Sequence, residues 1–404
     1  MAKKRTRKRI QTSKGGESKT PSQTAPGDYG EEYVPPSPPL RLDELVTALK
    51  PRPPRKKLTD VEIQHSLLLA ADDKLKVNQS LKAIGEEGTG PGFELNLRIQ
   101  GAAIGRHVLP PKPMVREFRS EHDVRQRQRA YPYFNGHLPD HLGLSILPRQ
   151  VPRELAVPRR MRTAALPDRP GDVHEATTIF GPDNRYIFMD TAFPWCTTGR
   201  VDTPGGQASG TMVGPRHLLT CSHAIQWNSD GSAGWVKFTP SYFDGSAPFG
   251  VAWGTWIYWE GVKVSGPTIN RNEGQHDYVC VVLNWRIGDL TGWMGSRSWS
   301  DDWDGGNYWS HIGYPGDLAG GQRPSYQSGI ALDGSFWDRE VHTRIFHQGD
   351  VWPGQSGGPF FAWWAGESWP RVVADQSGQT SDENSASGGA HMVDCIIRAR
   401  NDFP

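Results

Sequence analysis

Gln275-His276-Asp277-Tyr278-Val279-Cys280-Val281-Val282-Leu283 sets a carboxylate at the mouth of an uninterrupted apolar run. A valine-rich run this short, bounded by polar turn residues, has the length of a strand buried on both faces. The same texture extends in both directions. From Ile179 onward, short β-branched and aromatic runs alternate with Gly, Asn, Asp and Pro clusters every 8–15 residues; examples are Gly210-Thr211-Met212-Val213, Val251 to Glu260 and Arg371-Val372-Val373. No long helical period interrupts them, which argues for an all-β sandwich or barrel.

Two further stretches fit with the carboxylate. Leu218-Leu219-Thr220-Cys221-Ser222-His223-Ala224 places a histidine after a short apolar strand, and Gly354-Gln355-Ser356-Gly357-Gly358-Pro359 sets a serine among glycines. A serine hydroxyl is a poor nucleophile at neutral pH and needs an imidazole to take its proton. The imidazole in turn needs a carboxylate on its other nitrogen, to fix its tautomer and stabilise the cation that forms. Glycines let the backbone turn tightly, so that N–H groups near Gly354 and Ser356 can face a developing oxyanion. Each stretch alone reads more simply as a structural histidine, a turn aspartate or a glycine turn. Together, in the order His, Asp, Ser on strand ends, they make a nucleophilic constellation.

The Thr-Cys-Ser-His, Asp-Tyr-Val-Cys-Val-Val-Leu and Gly-Gln-Ser-Gly-Gly-Pro motifs resemble those of the trypsin-like (chymotrypsin-fold) serine proteases, nearest to the glutamyl-endopeptidase-like branch. Gly181-Pro182-Asp183-Asn184-Arg185 with Phe193-Pro194-Trp195, Gly313-Tyr314-Pro315-Gly316-Asp317, and Val372-Val373-Ala374-Asp375-Gln376-Ser377-Gly378 extend the likeness over residues 179–404. The resemblance implies two six-stranded antiparallel barrels with a cleft between them, and a serine-type endopeptidase acting on protein or peptide substrates. It implies His223 as general base, Asp277 as its orienter, Ser356 as nucleophile, Gly354 and Ser356 as the oxyanion hole, and Ser377 as support for Asp277. The backbone of 377–379 would pair with substrate as an added strand. Asp350, Val351, Gln376, Ser377 and Gly378 would line the specificity pocket. Gln355 stands where the trypsin branch has an aspartate that pairs with a new amino terminus. Gln376 stands where glutamyl endopeptidases carry a histidine that reads glutamate, which puts glutamate specificity in doubt. Asp350 is read either as a pocket floor favouring Arg or Lys, or as a solvated loop carboxylate.

Charge divides the chain. The whole carries a net charge of +1, but residues 1–175 hold 31 basic and 21 acidic side chains and 176–404 hold 14 and 23. All 16 Trp and all 4 Cys lie in the second segment. Residues 1–58 are Pro- and charge-rich and read as a disordered tail. Residues 59–175 read as an extension or pro-region, with a helix about 60–84 behind the capping-box sequence Thr59-Asp60-Val61-Glu62. Residues 176–404 are the catalytic unit. A largely disordered basic extension with one helix is thus expected before the barrels. The first segment is expected to dock on the second as an inhibitory pro-region, or to bind nucleic acid through 1–9 and 112–162. A catalytically silent binding protein is the other competing reading.

The start lacks the apolar core of a signal peptide, so the chain reads as intracellular as written and secreted if its start lies elsewhere. No run is long and apolar enough for a membrane span. Four single cysteines without a Cys-x-x-Cys pair argue against a metal site, and no cofactor is expected. Cys196–Cys221 and Cys280–Cys395 are candidate bridges in an oxidising compartment; buried free thiols are the other reading. The tryptophans read as packing residues rather than as a ligand groove.

Overall fold

The structure, a computed structural model, describes residues 29–32, 36–56, 62–68, 76–84, 92–100, 112–120, 131–151, 173–175 and, apart from 267, 271, 335–340, 380 and 381, all of 178–404. The N-terminal part holds β1 (Tyr29–Glu32), α1 (Leu42–Ala48), β2 (Glu62–Leu68), β3 (Lys76–Ile84), β4 (Gly92–Gln100), β5 (Met114–Phe118), β6 (Tyr131–Phe134), β7 (Val173–Glu175) and β8 (Tyr186–Ile187). The first barrel then runs β9 (Thr198–Thr203), β10 (Gly206–Gly214), β11 (His217–Thr220), β12 (Lys237–Pro240), β13 (Ala252–Glu260), the two-residue β14 (Thr268–Ile269) and β15 (Val279–Leu283). Six of these pair in the order β12-β9-β10-β11-β15-β13, and β12 pairs with β13 to close the ring. The opening apolar run is β15. It sits centrally between β11 and β13, buried along its whole length, as a strand with two covered faces must be.

The second unit follows with α2 (Gly288–Thr291), β16 (Gly295–Arg297), β17 (Trp309–Gly313), α3 (Gly316–Ala319), β18 (Ser325–Ile330), β19 (Leu332–Asp333), β20 (Thr343–His347), β21 (Pro359–Ala362), β22 (Arg371–Gln379), β23 (Asn384–Gly388) and α4 (Ala390–Asp402). β17 lies between β18 and β21; β21 pairs with β22, β22 with β23, β23 with β20, and β20 with β19. Counting β18 and β19 as one strand bent at Ala331 makes this ring six-stranded as well. Trp299, Trp303, Trp309 and Trp364 fill it, their rings meeting edge-on or tilted at centroid distances of 5.4–6.1 Å. They are core, as the packing reading expected. Among the described residues no helix is long and apolar enough to cross a membrane.

The N-terminal half departs from the sequence reading. The expected helix over 60–84 is instead β2 and β3, an antiparallel pair continued by β4 into a three-stranded sheet. The segment alternates with period two: Val77, Leu81 and Ala83 fall between Lys76, Ser80 and Lys82, and Ile63 and Leu67 between Glu62, Gln64 and Ser66. That alternation outweighs the capping-box signal. The tail of 1–58 also contains ordered parts. β1 pairs with β6, which pairs with β16, while α1 buries Leu45 in the main core. Leu40, Leu42 and Leu49 pack there too, and Leu40 donates its N–H to the Trp363 carbonyl. This segment cannot build a core alone but shares one already present. β5 adds in parallel to β13 of the first barrel, so the change in composition near residue 175 is not a boundary between contacts. The basic clusters at 1–9, 125–129 and 159–162 lie outside the described residues.

Candidate active site

β11 and β15 are antiparallel neighbours, with Thr220 opposite Val279. The chain therefore leaves one end of the first barrel twice at the same place, towards His223 and from Asp277. His223 Nδ1 lies 2.6 Å from Asp277 Oδ2, and the His223 N–H donates to Oδ1 at 2.8 Å. From β22 of the second barrel, Ser377 Oγ donates to the same Oδ2 at 2.6 Å. The Asp277 N–H donates to Ser387 Oγ at 3.1 Å. Burial works against a charged imidazole, but the Asp277 carboxylate outweighs it and holds His223 well above the ordinary histidine range.

Ser356 sits on the turn before β21. Its glycine neighbours are required by space as well as by backbone angle. Gly354 has φ +99°, and a Cβ there would come within 2.4 Å of the Tyr314 carbonyl oxygen; Gly357 has φ +78°, with Thr220 Oγ1 at 2.3 Å. Ser209 of β10, whose role the sequence did not signal, stitches this turn to the first barrel. Its N–H donates to the Ser356 carbonyl at 2.8 Å and its Oγ to the Gly354 carbonyl at 2.7 Å. Ser356 and His223 line one cleft of about 410 Å³, shared with Gln207, Ala208, Trp227 and Ser265. Ser356 Oγ is buried and has no hydrogen-bond partner among the described residues; His223 Nε2 lies 3.7 Å from Cys221 Sγ. The final link from nucleophile to base is thus open in this state, as is common before substrate binds.

One pocket reading needs correction. Asp350 is neither a pocket floor nor a solvated loop carboxylate. It is buried, and accepts the Phe180 and Asn184 N–H groups at 2.8 Å each and Gln327 Nε2 at 3.4 Å. Two of its acceptor sites hold the chain that enters the first barrel, and burial in this network sets it away from solvent. Of the two readings left open for the four cysteines, all are buried free thiols here and neither candidate bridge is formed. Cys196 Sγ instead donates to the Thr291 carbonyl at 3.1 Å, and burial raises all four thiols above their ordinary range. Gln376 is buried with its amide used on both sides: Oε1 lies 3.0 Å from His347 Nε2, and Nε2 donates to the Ser385 and Gly378 carbonyls. Val351 is buried, its N–H donating to the Thr178 carbonyl. Gly378 is paired with Glu175 of β7, and Gln379 with His174. Among the described residues, no group of three His, Cys, Asp or Glu side chains could hold a metal ion.

A closed six-stranded barrel, a second barrel-like sheet and the grouping of His223, Asp277 and Ser356 near their junction are similar to the arrangement of the chymotrypsin-like serine proteases. Comparison of sequences agrees: the chain is 27% identical over 186 residues to the glutamyl endopeptidase of Bacillus licheniformis, a stretch covering 46% of this chain. The chain spans about half, 54%, of that relative's length. The similarity therefore lies with the trypsin-like, glutamyl-endopeptidase-like proteases. No family model matches. Among solved structures, a Glu endopeptidase in complex with MPD aligns with TM-score 0.44 and 19% identity over 55% of this chain and all of that one. The protease Anisep from Arthrobacter nicotinovorans aligns with TM-score 0.40 and 20% identity over 51% and 95%.

Proposed function

We propose that this chain is a serine endopeptidase in which Ser356 attacks the peptide carbonyl. The observation that carries the reading is the hydrogen-bonded chain Ser377–Asp277–His223, joining the two barrels and ending at the cleft that holds Ser356. His223 Nε2 takes the Ser356 proton as the Oγ–carbon bond forms. The oxyanion is received by the N–H groups of Gly354 and Ser356, each such donor typically contributing about 3–4 kcal/mol. The protonated imidazole then gives its proton to the leaving amine, and a water activated by the same base hydrolyses the acyl-enzyme. Asp277 stays ionised throughout and orients the ring.

Gln376 and Val351 present no charge, and Asp350 is committed elsewhere. We therefore read the specificity pocket as one for a neutral side chain, neither glutamate nor arginine. Strand β7 supports the expected docking of the N-terminal segment. It lies between β22 and β14, with His174 opposite both Gln379 and Thr268, on the edge where a substrate strand would add. The intact chain is on this reading held back by occupancy of its own cleft. Fluorophosphonate labelling, absent in Ser356→Ala, tests the activity, and cleavage of a peptide library reads the pocket. A wild-type protein that neither labels nor cleaves, even with 1–175 released by limited proteolysis, would overturn the reading.

A further inference from the structure

Beneath the nucleophile turn lies a cation that the reaction does not use. Arg185, at the entry to β8, has a fully buried side chain. Its Nε and Nη2 donate to Asp183 at 3.1 and 2.9 Å, and its Nη1 and Nη2 to Asp317 at 3.2 and 2.6 Å. The remaining Nη1 bond goes to Gln355 Oε1 at 2.7 Å. That amide oxygen also accepts the Trp352 N–H at 3.0 Å, while the Gln355 N–H donates to the Trp352 carbonyl at 3.0 Å. Gln355 stands between the two residues whose N–H groups form the oxyanion hole. Its side chain closes the 352–355 turn from inside, and Arg185 holds that side chain in place.

We propose that Arg185 is a positioning residue for the oxyanion hole, acting through Gln355 to hold the Gly354 and Ser356 N–H groups in register with the nucleophile. The proposal rests on the serine-endopeptidase reading above. It also accounts for an uncharged residue at 355. Arg185 already faces two carboxylates, so the local charge is negative before Gln355 is counted. A third buried carboxylate would meet repulsion from the two already there. A neutral amide supplies the acceptor without the charge. The anchor comes from within the folded chain, so assembly of this turn does not call for a newly cut amino terminus.

The test uses the full chain and the rate at which a fluorophosphonate labels Ser356, with the thermal midpoint followed in parallel. Gln355→Met keeps the length and leaves the Arg185 carboxylate pairs intact, but removes the acceptor. Labelling is expected to slow by at least about tenfold, short of the roughly 10²–10³-fold that outright loss of an oxyanion donor costs, while the midpoint moves by only a few degrees. Gln355→Glu alone should also be slow. Adding Asp317→Asn to Gln355→Glu restores the charge count and should recover labelling to within about threefold of wild type, a rescue that a packing role would not produce. Unchanged labelling in Gln355→Met, or no recovery in the double variant, overturns the proposal. If Gln355→Met does not fold, the Glu/Asn pair decides alone. A wild-type chain that never labels, even with 1–175 released by limited proteolysis, removes the endopeptidase reading itself, and the proposal with it.

Discussion

Asp277 is the most heavily bonded residue of the site: His223, Ser377 and Ser387 all engage its side chain or its N–H. Removing the Ser377 hydroxyl frees one lone pair of a buried carboxylate. A hydrogen bond to a charged group contributes about 1.5–3 kcal/mol. Ser377→Ala should therefore lower kcat by roughly tenfold or more with KM little changed, read by steady-state cleavage of a peptide ester. The raised pKa of His223 has a defined sign. Reaction needs the neutral ring, so the acid limb of the labelling-rate profile should lie above about 6.5, the ordinary histidine value. For stability, the ion pair contributes fully below that value, and its contribution is lost as pH rises through the folded-state pKa. Asp277→Asn should move the acid limb downward and slow labelling by several orders of magnitude. These residues were legible because chemistry restricts their types. Ser209, Ser387 and Arg185 were not, since a buried serine or arginine carries no mark in the sequence of what it will meet.

Among the elements, β7 offers the clearest experiment. Its pairing with β22 is made of backbone groups, so a proline at His174 removes a donor and obstructs the ladder. His174→Pro in the full chain should raise the rate of peptide cleavage, by about tenfold if strand occupancy limits access. Labelling by a small fluorophosphonate should change less. Equal peptide rates in the two proteins would show that β7 does not restrict the cleft. The strands of the two barrels were readable from short apolar runs punctuated by Gly and Asn, and β15 is the best case. β2 and β3 were misread because a capping-box tetrapeptide is a local signal, whereas their state is decided by pairing with each other and with β4.

Among the described residues, β1, α1, β5 and β6 share the core and sheets of the two barrels. Trp309 is fully buried among three other tryptophans, and Trp309→Ala should cost about 3–5 kcal/mol, read by chemical denaturation. Acid should destabilise the second unit. Burial lowers His342 to about 4 and His347 to about 3. His342 stacks on His276 at 4.4 Å and meets His391 at 5.3 Å with the rings tilted. Between about pH 6.5 and those values the unfolded chain binds protons that the folded one refuses, so stability falls as pH drops through that window. The thermal midpoint at pH 4.5 should be several degrees below that at pH 7, and His347→Gln should reduce the difference.

The β class and the candidate set His223, Asp277 and Ser356 are legible in residue type and spacing alone, because strand periodicity and nucleophile chemistry are local demands. That Asp350 holds the entering chain, that the thiols stay unpaired, that Arg185 bonds Gln355 and that β7 lies on β22 follow from the folded arrangement alone. Each of these depends on which groups far apart in the chain share a buried space, where unmet hydrogen bonds and charges are costly enough to select one partner from many.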